Sequence, residues 1–252
     1  MERWVGKVAV VTGASAGIGA ATVRALAQKG IIVVALARRE HKLKKVADAC
    51  KGTVYPKVCD LAKEEDIVKI FEWIEKTLGG VDILINNAGV LNPSTLTGGT
   101  AADWKGIWET NVLALSFSTR EAIKTMRSRG DNGHIIHINS IAGHTVLSMS
   151  MIAMYTASKY AVTSLTESLR LELQKLGSNI KITSISPGSV DTDMVRNFRA
   201  DERTVAEPVV GTMLAALDVE DVTDAIIYCL GTRPIVQVHE LTIQAIGQKY
   251  SD

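Results

Sequence analysis

The sequence predicts an α/β fold in which a mostly parallel, seven-stranded sheet is doubly wound and carries helices on both faces. Three observations predict it. Short β-branched runs alternate with helix-length segments along the whole chain. The second run, residues 31–37, is apolar nearly throughout, as a strand covered on both faces must be. The first run is broken at once by glycines that open a helical pattern. Strands separated by helix-length segments pair in parallel through right-handed crossovers, which makes the sheet open and doubly wound.

In order, residues 7–12 contain Val8-Ala9-Val10-Val11, a short buried strand. The helix after it runs through Ala20, Val23, Leu26 and Ala27 and ends at Gly30, a suitable C-terminal glycine. After the strand at 31–37 come a helix at about 41–49, a strand at 54–58 and a helix at 63–78. A strand at 81–85 precedes a long helical region, 101–128, and a strand at 134–138 precedes a helix at 155–176. A strand at 180–185, a less regular stretch at 191–217, a helix at 219–230 and a last strand at 236–243 complete the pattern. The chain of 252 residues has no linker-like segment and is read as one domain. At that size it can bury roughly 70–75% of its unfolded surface without staples.

A net charge of +1, with 22% charged residues, provides no field for nucleic acid or an anionic membrane. No stretch approaches ~18 uninterrupted apolar residues, so no membrane span is expected. Residues 1–7 contain no signal-peptide run. Cys50, Cys59 and Cys229 are odd in number and too widely spaced for a metal site, so no metal is expected. They suit a reduced compartment, and the expectation is a cytoplasmic protein.

Tyr155 and Lys159 propose a reaction. Four apart on a helix, they share one face. A lysine cation beside a phenol favours the phenolate, which would make Tyr155 a general acid/base toward an alcohol or carbonyl oxygen. The segment Thr12-Gly13-Ala14-Ser15-Ala16-Gly17-Ile18-Gly19 lies between the first strand and the first helix; by itself such a glycine-rich loop could be a plain turn. There a dinucleotide fold of the Rossmann type turns tightly and rests a pyrophosphate on free helix N–H groups. The spacing is Gly-x-x-x-Gly-x-Gly.

The second strand ends Ala37-Arg38-Arg39, with no carboxylate before Glu40. A guanidinium there would take a ribose 2′-phosphate, which favours NADP over NAD; the alternative for both arginines is a solvated helix start. Asp60, after the third strand, could receive an adenine amino group or cap a helix.

Together with Asn86-Asn87-Ala88-Gly89 at the end of the fourth strand, these motifs make the sequence resemble the short-chain dehydrogenase/reductase family over essentially its whole length. The resemblance implies a catalytic tetrad of Asn111, Ser140, Tyr155 and Lys159. Ser140 would donate to the substrate oxygen, Tyr155 would pass the proton and Lys159 would lower the phenol's pKa and hold ribose hydroxyls. Asn111 would anchor a water. Seen alone, Ser140 could cap a loop and Asn111 could be a buried polar group in a kinked helix. The resemblance also implies an NADP(H) site made of Gly13, Ser15, Gly17, Ile18, Gly19, Arg38, Arg39, Asp60, Leu61, Asn87, Ala88 and Gly89, with Tyr155, Lys159, Pro187, Gly188, Val190 and Thr192 around the nicotinamide.

Ser140 stands fifteen positions before Tyr155, a longer gap than many family members show. Ser148 and Ser150 are weaker stand-ins for it. Met149, Met151, Ile152, Met154, Met194, Val195 and Phe198, with Val209, Val210 and Met213, could wall an apolar substrate or simply pack. His137 and His144 are read as strand and loop residues.

Residues 1–4, 140–144 and 237–248 look like the insect farnesol-dehydrogenase-like group and its vertebrate carbonyl- and steroid-reducing relatives. That implies NADP-dependent interconversion of an isoprenoid alcohol and its aldehyde. The alternatives are an NADPH-dependent reductase of steroid, quinone or xenobiotic ketones, a 3-oxoacyl carrier-protein reductase, and a nucleotide-binding protein without chemistry. The family usually forms homodimers or homotetramers through the helices at 101–128 and 155–176. Ala114, Leu115, Val162, Leu165 and Leu169 suit that interface or the sheet equally.

Overall fold

The structure is a computed structural model and describes residues 1–204 and 215–248. Its strands are β1 (Val8–Thr12), β2 (Ile32–Ala37), β3 (Val54–Val58), β4 (Ile83–Asn86), β5 (Asn132–Ile138), β6 (Asn179–Pro187) and β7 (Glu240–Ile243). They form one seven-stranded sheet in the order β3-β2-β1-β4-β5-β6-β7, with every pairing parallel. The chain winds outward from β1 to β3 and then returns to β4 on the other side of β1. The loops leaving β1 and β4 therefore diverge, and a crevice opens above the carboxyl ends of these strands.

The helices are α1 (Gly17–Gln28), α2 (Glu40–Asp48), α3 (Glu64–Leu78), α4 (Ala101–Trp108), α5 (Ala114–Ser128), α6 (Ala153–Lys175), α7 (Asp193–Ala200) and α8 (Val219–Gly231). Strand alternation divides the core in two. Ala9, Val11, Val33, Ile85, Ile136 and Ile138 pack with α1, α2 and α8 on one face. Val10, Val34, Leu84, Ile135 and Ile182 pack with α3, α5 and α6 on the other. Each fully buried Leu or Ile contributes about 1.5–3 kcal/mol, so each helix layer is held mainly by its apolar stripe.

The ends of elements obey local chemistry. α3 starts with Glu64, Glu65 and Asp66, which favour the positive end of its dipole, and stops at Gly79 with φ 80°. Asp218 and Asp221 form a capping box before α8. β3 lies at the sheet edge, where Pro56 is tolerated.

Three sequence expectations change. The long helical region is α4 and α5 joined by a π turn at Glu109–Leu113. The irregular stretch after β6 contains α7. The last strand shortens to β7, because residues 236–239 contribute no ladder before Glu240. Among the described residues no helix is long and apolar enough to cross a membrane.

Candidate active site

β1 ends in a glycine loop whose shape is fixed by its neighbours as well as by any ligand. Gly13 has φ 67°, and a Cβ there would stand 2.9 Å from both Ala88 Cα and Asn87 Nδ2. At Gly19 a Cβ would meet Asn87 Nδ2 and the Gly13 carbonyl oxygen, each at 2.5 Å. Two of the three glycines are therefore required by the end of β4, a packing reason that the pyrophosphate argument did not contain. Asn87 Nδ2 donates to the Thr12 carbonyl oxygen at 2.8 Å, and the backbone N–H groups of Asn87 and Ala88 both donate to Thr12 Oγ1 at 3.0 Å. Thr12, the first residue of the loop motif, thus fastens the two loops that open the crevice, a role its place in the motif did not reveal. Gly17, with φ 54°, begins α1 opposite Thr192, whose Cγ2 would lie 3.3 Å from an added Cβ.

The crevice is a cleft of about 500 Å³. It is lined by Gly13, Ser15, Gly17, Ile18, Arg38, Arg39, Asp60, Leu61, Asn87, Ala88, Gly89, Ser140, Tyr155, Lys159, Pro187, Gly188, Val190 and Thr192, all expected from the sequence. Gly19 and Asn111 are not on its wall; Gly19 is buried beneath the loop and Asn111 lies behind it.

One end of the cleft is basic. Arg39 Nη2 reaches back from the end of β2 to donate to Ser15 Oγ at 2.9 Å. Glu40, the first carboxylate after the two arginines, does not line the cleft and pairs with Lys44 at 2.8 Å. Lys42 of α2 lies 3.9 Å from Asp193 at the start of α7, so an ion pair spans the mouth. Asp60 does not cap α3, whose N-cap is Lys63; its Oδ1 accepts from Ala62 N at 3.3 Å in a turn. The donors fit a phosphorylated dinucleotide: a guanidinium and a hydroxyl side by side, and an α1 N-terminus preceded by Ala16, which has no capping group.

The other end holds Ser140, Tyr155 and Lys159. Ser140 leaves β5 in extended conformation, accepts from Ala142 N at 3.1 Å and hydrogen-bonds the Tyr155 phenol. The loop-cap role and the facing of Tyr155 are therefore both real for this serine. Lys159, 6% exposed, donates from Nζ to the Ile138 carbonyl oxygen at 2.9 Å and stands 5.7 Å from the Tyr155 ring centroid. Burial pushes its ammonium down to about 8.

The expected lowering of the tyrosine pKa is not what this geometry gives. Burial raises the phenol, the Ser140 hydrogen bond lowers it in part, and the net direction is up. The lysine charge is spent on a backbone carbonyl instead of being aimed at the phenol oxygen.

Asn111 sits in the π turn, which rotates its amide inward. Its Oδ1 accepts from Val90 N at 2.8 Å, and its Nδ2 donates to the Val90 carbonyl at 3.1 Å and to Ser158 Oγ at 3.0 Å. Ser158 in turn donates to the Tyr155 carbonyl at 2.6 Å. The amide is thus a clamp between the β4 loop and α6, with both of its N–H donors engaged. Ser158 was the sequence signal available for this: a serine three residues after Tyr155, on the same helix face.

The long loop before α6 is stitched down. Ser94 and Ile152 form a parallel bridge, Ser94 N donates to the Met151 carbonyl at 2.8 Å, and Trp104 Nε1 donates to Ser94 Oγ at 2.7 Å. Met149, Ile152 and Phe198 are buried together, with Leu91, Leu147, Met151 and Tyr155 against them. Of the expected substrate wall, Met194 and Val195 line the cleft, joined by Leu91, Val90, Asn92 and Asn197; Met149, Met151, Met154, Ile152 and Phe198 do not line it. Val209, Val210 and Met213 lie outside the described residues. Neither Ser148 nor Ser150 lines the cleft, and Ser140 does.

A sheet of order 3-2-1-4-5-6-7, with a glycine loop at its switch point and Ser, Tyr and Lys converging above β5, defines a dinucleotide-dependent oxidoreductase. The comparisons agree. A family profile described as short chain dehydrogenase matches residues 7–203. The chain is 44% identical to a farnesol dehydrogenase of Aedes aegypti over 99% of its own length and 100% of that protein's. It is 45% identical to the human dehydrogenase/reductase SDR family member 11, over 98% of this chain and 97% of the other. Among solved structures, a closed form of serine dehydrogenase complexed with NADP+ superposes with TM-score 0.87 at 28% identity, covering 97% of each chain. A metagenomic short-chain oxidoreductase in complex with NADP superposes with TM-score 0.80 at 29% identity, over 96% of this chain and 98% of that one. The chain belongs to the short-chain dehydrogenase/reductase family.

Proposed function

We propose that the protein is an NADP(H)-dependent oxidoreductase that interconverts an apolar alcohol and its aldehyde or ketone, with an isoprenoid alcohol such as farnesol as the first substrate to test. One observation carries this reading. Ser140, Tyr155 and Lys159 meet at one end of a cleft whose other end pairs Arg39 with Ser15, with Met194, Val195 and Leu91 on its wall. The relatives support the substrate class, since one of them is named for farnesol.

In this reading the bound nicotinamide supplies the hydride-transfer chemistry. The protein's own residues do the rest. Ser140 and Tyr155 would both hydrogen-bond the substrate oxygen and stabilise charge developing on it. Tyr155, whose phenol burial keeps protonated, is suited to giving its proton to that oxygen as a carbonyl is reduced. Lys159, fixed on the Ile138 carbonyl, holds a positive charge beneath the ring. Asn111 keeps the Val90 loop and α6 together so that the three stay aligned. Arg38 and Arg39 would take the 2′-phosphate, and Asp60 with Leu61 would border the adenine.

A second reading is reduction of steroid, quinone or xenobiotic ketones with NADPH, supported by the 45% identity to a human dehydrogenase/reductase. Turnover of farnesol with NADP+ compared with that of a ketone panel with NADPH separates the two. Absence of turnover in every arm would sink both. We further propose a cytoplasmic homodimer or homotetramer built on α5 and α6. Tyr160 and Leu171, exposed on α6, support that interface, whereas Ala114, Leu115, Val162 and Leu169 face the core. The free Cys50, Cys59 and Cys229 support the compartment. Light scattering on the purified protein reads the mass directly.

A further inference from the structure

Besides Lys159, a second buried side chain ties α6 to the sheet. His137 of β5 is 1% exposed, with Nε2 3.2 Å from Thr119 Oγ1 on α5 and Nδ1 2.9 Å from Thr166 Oγ1 on α6. The outer partners determine where each hydrogen lies. Thr166 gives its hydroxyl proton to the Val162 carbonyl at 2.7 Å, so toward His137 it can only accept, and Nδ1 must carry the proton. On the other side Asn86 Nδ2 donates to Thr119 Oγ1 at 2.8 Å, which leaves the Thr119 hydroxyl to donate to Nε2. The result is one directed chain, from Asn86 to Thr119 to His137 to Thr166 to the Val162 carbonyl. It crosses from β4 through α5 and β5 into α6.

This chain ends beside the proton-transfer set. Thr166 follows Lys159 by seven residues and Tyr155 by eleven, a spacing that puts all three on one helix face. Ile138, the next residue of β5, offers the carbonyl that holds Lys159. The titratable groups facing Lys159 are Tyr155 on its own helix and His137 on β5.

We propose that His137 is a positioning residue for proton transfer: as a neutral, Nδ1-protonated imidazole it sets the distance of α6 from β5 and thereby the seat of the Lys159 ammonium beneath Tyr155. Burial, then the nearby Lys159 charge, pushes the ring down to about 3, so it stays neutral and shuttles no proton itself. Its importance for turnover rests on the oxidoreductase reading, but the seat of Lys159 can be measured without turnover.

The test uses the cofactor-free protein with nitrogen-15 histidine and carbon-13 lysine. In the wild type, NMR should show His137 with Nδ1 protonated and Nε2 bare, unchanged from about pH 5 to about pH 9. Lys159 should titrate near about 8. His137→Asn can still donate to Thr166, and should leave the Lys159 titration within ~0.2 pH unit; His137→Gln reaches only Thr119, and should displace it by at least ~0.5 unit. Thr166→Val, which keeps the shape and removes the acceptor, should displace it similarly and carries the comparison if the glutamine variant does not fold. Finding the proton on Nε2 alone, or one Lys159 titration shared by all variants, would overturn the proposal. A wild type with this NMR signature and no turnover would sink the oxidoreductase reading and leave the positioning geometry standing.

Discussion

Among the described residues two lysines are buried, one on α6 above one end of the sheet and one on β6 near the other. Lys159 sits above the carboxyl end of β5, and Lys181 sits near the amino end of β6, 5% exposed. Burial is the largest cause of lowering for both, and both titrate at about 8. Each makes one hydrogen bond, Lys159 to the Ile138 carbonyl at 2.9 Å and Lys181 to Thr232 Oγ1 at 2.7 Å. What differs is the company.

At the amino end the neighbours are engaged with other groups of the protein, His134 through one ring nitrogen while its buried Nδ1 has no partner. Asp82 accepts from Val8 N at 2.8 Å and pairs with Arg129 at 3.2 Å, Trp4 Nε1 donates to the Leu230 carbonyl at 2.9 Å, and His134 Nε2 is 2.9 Å from Thr183 Oγ1. At the carboxyl end Tyr155, Ser140 and Lys159 all line one cleft. A shifted pKa therefore does not mark a site by itself; a shifted group that shares an open wall with a second proton carrier does.

The comparison breaks most sharply at Tyr155. Tyr155→Phe should cut kcat by about 10²–10⁴-fold while NADPH still binds, as read by nicotinamide fluorescence, and Lys181→Met should leave kcat within about twofold. A Lys181 variant as crippled as the Tyr155 variant would erase the distinction between the two ends. Next in size is the basic end of the cleft. Arg39→Ala should weaken NADPH by about 10–100-fold, equivalent to about 1.5–3 kcal/mol, and leave NADH nearly unchanged; Arg38→Ala should act in the same direction. Equal losses for both nucleotides would remove the 2′-phosphate assignment.

Gly13→Ala puts a Cβ against Ala88 and Asn87 at positive φ, and should cost about 1–3 kcal/mol in urea unfolding even without cofactor. The smallest effect is on stability and follows from the lysines themselves. Lys159 falls from 10.5 to about 8, a folded-state cost of about 3 kcal/mol. The unfolded chain keeps that proton longer, so the cost is complete below about pH 8 and fades as pH rises toward 10.5. Lys159→Met should therefore stabilise the fold by about 1–2 kcal/mol at neutral pH while abolishing turnover, the lost bond to Ile138 offsetting part of the gain.

The sheet was legible because buried parallel strands have to be continuous apolar runs, and residues 32–37 and 132–138 differ from the sequence reading only at their ends. Boundaries drifted where side chains are silent. The π turn at Glu109–Leu113 leaves no periodicity break, and α7 is too short to set one against its charged residues. The cleft residues were legible because each has a side chain suited to one role. Their supports were not. The Ile138 carbonyl has no side-chain signature, and Ser158 and Thr166 are ordinary polar residues until the fold brings them to Asn111 and His137. The methionine loop misled because an apolar residue beside a site can face inward as easily as outward, and Met149 faces inward.

The ion pair between Lys42 and Asp193 joins α2 to the start of α7, whose Met194 and Val195 line the cleft. Both partners are exposed to water, so the clasp is worth under about 1 kcal/mol and weakens as electrolyte is added. Turnover limited by departure of the spent nucleotide should accordingly quicken at moderate salt, making ionic strength a throttle on residence time.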